Sequence, residues 1–99
     1  MSLSIVFSTK RRPDILGIMY GMITRETVGR GVKNITVEER REGGFLVRGT
    51  SINQQGIDTA ERAAETATRQ LFRGRPVNVE TDFIELNTGR RRQTLTLVA

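Results

Sequence analysis

The chain has 99 residues, enough for one compact domain around one hydrophobic core and too few for two of ordinary size. Its 16 cations against 11 acids give a formal charge of +5, and the lack of cysteine and histidine excludes disulfides, thiol catalysis and the usual zinc sites. No stretch approaches the roughly 20 apolar residues of a membrane span, and residues 1–7 are too short for the apolar core of a secretory signal, so a cytoplasmic protein is expected.

Leu3-Ser4-Ile5-Val6-Phe7 alternates as a first strand, with Leu3, Ile5 and Phe7 on one face. Pro13 and Asp14 then suit the first turn of a helix, where a missing N–H costs nothing and a carboxylate complements the dipole. Ile15, Ile18, Met19, Met22 and Ile23 recur at helical spacing. Gly17 and Gly21 on this helix each cost about 1 kcal/mol relative to alanine, which predicts close packing against a sheet or a second subunit. Gly29 and Gly31 mark the exit, and residues 34–38 read as the next strand. Gly43-Gly44 ahead of Phe45-Leu46-Val47 leaves open whether residues 34–49 form one strand or a hairpin.

The second helix carries a narrow stripe of Ala60, Ala63, Ala64, Ala67 and Leu71, with Glu61, Arg62, Glu65 and Arg69 facing water. Two capping patterns compete for its start, Ser51 with Gln54 and Asp58 with Glu61, while Gly74 and Pro76 end it. Val77, Val79, Thr81 and Phe83 alternate as a half-buried strand, and the break in phase at Ile84 and Leu86 predicts a bulge near Phe83-Ile84. Asn87-Thr88-Gly89 supplies a turn, and residues 93–98 alternate again with Leu95 and Leu97 expected inward. The expected fold is a single two-layer α/β domain over residues 1–99, in the order β-α-β-(β)-α-β-β. Its mixed sheet of four or five strands is backed by two helices.

Of the cations only Lys10 and Lys33 are lysines; the rest are arginines, whose rigid fork of donors matches phosphate oxygens. Residues 1–37 carry six cations and two acids, residues 38–72 five and six, and residues 73–99 five and three, so the excess lies at the two ends. Arg90, Arg91 and Arg92 follow Gly89 at the expected hairpin tip, with no acid nearer in sequence than Glu85. Like charges clustered there repel one another and call for a polyanion, which a flexible two-stranded arm would grip by its backbone along a groove.

Lys10, Arg11 and Arg12 stand just before the first helix, whose free N–H groups favour anions. Arg40 and Arg41 sit among Glu38, Glu39 and Glu42 and are expected to pair with them. Arg48 ends an apolar run beside Gly49, a residue that permits close approach to a phosphate. For catalysis there are only Glu80, Asp82 and Glu85 along one strand, expected as charge on a solvated face, and no phosphate-loop or dinucleotide glycine pattern is present. No enzymatic activity, cofactor, metal or small-molecule substrate is therefore expected. No aromatic ring is interleaved with the basic clusters, so base stacking on single strands does not dominate.

Together the order of elements, Arg11-Arg12-Pro13 at the first helix, Arg48-Gly49-Thr50-Ser51-Ile52 leading into the second, Asp58-Thr59-Ala60-Glu61 within it and the Gly89-Arg90 tip resemble the Alba family. These are small dimeric chromatin and RNA-binding proteins, and the likeness covers nearly the whole chain. It implies a four-stranded sheet backed by two helices, a homodimer, and nucleic-acid contacts from Arg11, Arg12 and Arg48. It further implies hairpin arms bearing Arg90, Arg91 and Arg92 that reach into flanking minor grooves.

Two features depart from the family. Arginines replace its usual lysine pair, with Lys10 one position early, and residues 40–47 look inserted ahead of Arg48. The same order of elements occurs in the C-terminal domain of bacterial translation initiation factor three. The expected function is thus non-catalytic, largely sequence-independent binding of double-stranded DNA or RNA through phosphates. The alternative is an assembly subunit or ribosome-associated factor whose arginines meet an acidic surface or rRNA.

Overall fold

The computed structural model describes side chains from Ile15 to Ala99, and its first helix is bounded Ser2–Thr27. In chain order the elements are α1 (Ser2–Thr27), β1 (Val32–Glu39), β2 (Phe45–Ser51), α2 (Gln54–Leu71), β3 (Val77–Glu85) and β4 (Arg91–Val98). The strands form one four-stranded sheet in the order β1-β2-β3-β4. β2 and β3 run parallel at its centre, and each outer strand is antiparallel to its neighbour. The domain is therefore α+β, with a mixed sheet and two helices.

Residues 34–49 make a hairpin. Gly43 and Gly44 take φ of 95° and 90°, and the turn is closed by bonds from Arg40 N to Gly44 O and from Gly43 N to Arg40 O at 2.9 and 3.0 Å. The strand expected over residues 3–7 lies outside the described residues; among the described residues the four strands of the sheet follow α1. Beyond α1 the chain follows the expected order, with both strands of the residue 34–49 segment formed.

Ile23 of α1, Ile57, Ala60, Ala63, Ala64 and Ala67 of α2, and Ile35, Val47, Val79, Phe83 and Val98 of the sheet form the core. The alanine stripe lets α2 lie close over the strands, and Gly49 completes the fit: a Cβ there would sit 2.8 Å from the Phe83 ring. That glycine is required by packing inside the chain. Asn53 caps α2, its side chain accepting from Gly56 N at 2.8 Å; neither expected capping pair supplies the cap. Ser51 instead belongs to β2, where its hydroxyl donates to Asn53 O at 2.8 Å.

Three other expectations are corrected. Gly17 and Gly21 have open space where a Cβ would be, so neither makes a close approach to the sheet. The β3–β4 register runs unbroken from Val77↔Val98 to Ile84↔Arg91, and the bulge lies in β1, where Asn34 and Ile35 oppose Gly49. Asn34 adopts φ 59° there, a left-handed conformation that asparagine tolerates better than most residues. Finally, Leu95 and Leu97 are 68% and 64% exposed. Thr94, Thr96 and Val98 are the residues paired with the inward set of β3, because the register places Phe83 opposite Arg92.

Candidate functional site

Both described helix packings lie on one side of the sheet, so its other face has no covering layer among the described residues. Strand register arranges that open face in rows. Lys33, Thr50, Ile84 and Arg91 form one, Thr36, Arg48, Asp82 and Gln93 the next, and Glu38, Leu46, Glu80 and Leu95 the third. Charge is thereby segregated along the strands. Lys33, Arg48 and Arg91 gather at one end, while Glu38 and Glu80 lie at the other, Glu80 paired with Arg40 at 3.4 Å. Arg40 was expected to pair with its sequence neighbours; it also reaches Glu80 on β3.

At the cationic end the rows border a groove of about 540 Å³ lined by Asn34, Thr36, Arg48, Gly49, Thr50, Asp82, Ile84 and Arg91. Its rim is held by the Asn34 amide donating to Thr50 Oγ1 at 3.3 Å and by Thr50 Oγ1 donating to Lys33 O at 3.3 Å. Arg91 donates to Asp82 through Nε and Nη2, at 2.8 and 2.6 Å. This two-pronged bond holds the Asp82 carboxyl below the usual carboxylate range against the opposing effect of burial, and the charges of Arg91 and Arg48 act in the same sense. Asp82 is only 9% exposed, so it is not charge on a solvated strand face.

The arginine cluster is thus not the unpaired tip expected from the sequence. Arg90 lies in the turn and is exposed, but Arg91 and Arg92 begin β4 on opposite faces of the sheet. Arg92 reaches α2, pairing with Asp58 and, at 3.2 Å, with Glu61. Glu61 also accepts from the hydroxyls of Thr81 at 3.3 Å and Thr94 at 3.2 Å. Nor is the turn a free arm. Leu86 N donates to Ser51 O at 2.8 Å and the Asn87 amide to Ile52 O at 2.7 Å, which ties it to the loop before α2.

Of the residues singled out in the sequence, Arg48 and Arg91 meet at the groove, Arg90 stands near it in the chain, and Arg92 lies on the other face. Lys10, Arg11 and Arg12 lie outside the described residues. Lys33, Asn34, Thr36, Thr50 and Asp82 were not anticipated. The signal for Asp82 was available: a hairpin centred on Asn87-Thr88 sets Asp82 diagonal to Arg91 on the same face. Among the described residues no helix is long and apolar enough to cross a membrane. No known protein family, curated protein or solved structure matches the chain.

Proposed function

We propose that the chain binds double-stranded nucleic acid, without catalysis, through the cationic end of its open sheet face. The observation that carries this reading is the gathering of Lys33, Arg48 and Arg91 around one groove while the acids Glu38 and Glu80 stand at the far end. Lys33 and Arg48 are exposed, and exposed cations on a shared face gain from a polyanion by releasing its counterions. Arg90 extends that surface, and Lys10, Arg11 and Arg12 add to the same charge excess. The two-layer architecture is compatible with the likeness to the Alba family, and a cytoplasmic homodimer on DNA or RNA remains the reading that likeness supports.

Arg92, engaged by Asp58 and Glu61, is assigned to the fold and not to the ligand. The test is binding to duplex DNA and duplex RNA over a salt series. Log affinity falls linearly with log salt at about 0.9 per phosphate contact on duplex DNA. Replacing Lys33 and Arg48 by alanine is expected to lower that slope by roughly two contacts, whereas Arg92→Ala leaves it unchanged. Failure to bind either duplex at low salt overturns the proposal and favours a protein partner, for which the acidic end with exposed Leu95 and Leu97 offers a surface.

A further inference from the structure

Arg91 differs from the other cations of the open face in that its charge is already answered. Asp82 occupies its Nε and Nη2 edge in a two-pronged bond, while the Arg91 side chain remains 58% exposed. A guanidinium has a second edge, formed by Nη1 and the remaining N–H of Nη2, and Asp82 does not use it. The carboxylate therefore does two things at once. It fixes the plane of the fork, which in a free arginine samples many rotamers, and it cancels most of the net charge that would draw the fork to a phosphate.

Resting on the nucleic-acid reading above, we propose that Asp82 and Arg91 together form a base-reading pair, with Arg91 donating its outer edge to O6 and N7 of guanine in the major groove of duplex DNA. The acceptor pair of guanine is neutral, planar and spaced for a guanidinium fork. A phosphate oxygen brought to the same edge would lie close to the Asp82 carboxylate and be repelled by it, so the pair favours the neutral acceptor. Beside Arg48 and Asp82, the groove also offers the uncharged side chains of Asn34, Thr36, Thr50 and Ile84. Ile84 is 39% exposed and offers an apolar contact. β4 is an edge strand of the four-stranded sheet, so Arg91 stands at the sheet's border, where its outer edge can be laid against base edges in the major groove. Lys33 and Arg48 supply the phosphate contacts that position it.

The test compares the unaltered protein on a G·C-rich DNA duplex and on the same duplex with 7-deazaguanine throughout, which keeps every phosphate and every base pair but removes N7. The expected result is binding weaker by about fivefold or more on the deaza duplex, the lower end of what a bidentate arginine–guanine pair contributes. Arg91→Met, which keeps a long side chain but has no donor for O6 or N7, should bind both duplexes alike. Asp82→Asn should lose most of the discrimination while its salt slope on the natural duplex steepens by up to about 0.9, because the released guanidinium turns to phosphate. A purely structural Asp82 would leave the discrimination between the two duplexes unchanged, whereas the slope responds to any loss of the carboxylate's charge. Equal binding of the two duplexes by the unaltered protein overturns the base-reading pair and leaves phosphate binding standing. Failure to bind any duplex at low salt overturns both, and discrimination undiminished in Asp82→Asn overturns the role of Asp82.

Discussion

Asp82 ties a charge to the stability of the fold as well as to the groove. Its folded-state pKa is depressed, chiefly by the bond from Arg91, so its contribution is complete above the unfolded-chain value near about 4. It is lost as pH falls through the lower folded value, because the unfolded chain then binds more protons. Urea midpoints measured from neutrality down to acid should therefore fall more steeply below about pH 4 for the native chain than for Asp82→Asn. Equal acid slopes would show that the carboxylate titrates alike folded and unfolded.

Glycines give residue-scale predictions of opposite sign. A Cβ at Gly56 would meet the Ser51 hydroxyl and stand 2.9 Å from the Arg30 carbonyl, so Gly56→Ala should cost about 1–3 kcal/mol in chemical denaturation. At Gly17 nothing lies within 4 Å, and Gly17→Ala should stabilise by up to about 1 kcal/mol through helix propensity. A loss at Gly17 would mean that another surface covers that helix face.

At the level of elements, Glu61 is the joint between α2 and the β3–β4 pair, accepting from Thr81, Thr94 and Arg92. Glu61→Ala should cost roughly 1–2 kcal/mol, and a double-mutant cycle with Arg92→Ala should show that the two losses are not additive. This joint also explains what the sequence could not reveal. The alanine stripe of α2 and the alternation of β3 are local patterns, and each produces the element expected; the Gly43-Gly44 pair leaves one strand or a hairpin open, and the fold takes the hairpin. Alternation in β4 is equally local, but it says only that Leu95 and Leu97 share a face, not which face. That choice is made by register, through a pairing of Arg92 with a helix more than thirty positions earlier. The misplaced bulge has the same origin, since Ile84 and Leu86 stay outward at 39% and 53% exposure instead of forcing the strand to kink. In the candidate site, arginine composition points to Arg48 and Arg91. The carboxylate between them becomes legible only once the hairpin is centred on Asn87-Thr88, which sets Asp82 diagonal to Arg91.

For the whole molecule, the sheet turns a chain whose excess charge lies at its two ends into a face with one cationic and one acidic end. A net +5 alone would favour polyanions from every side; segregation gives the encounter a direction. Adding charge at the acidic end, as in Glu38→Lys, should accelerate association at low salt by steering while leaving the contacts at the groove intact. Stopped-flow association rates that do not respond to this change would argue against electrostatic steering.

The parallel pair at the centre of the sheet carries a consequence for how the chain reaches its structure. Each antiparallel neighbour is joined to its partner by a short turn, so β1–β2 and β3–β4 can close locally within microseconds. β2 and β3 meet only after α2 has spanned the distance between them, the one sheet contact with a long loop to close. Folding should accordingly be limited by the docking of two preformed hairpins across Val47 and Thr81, whose amides would exchange only when the whole molecule opens.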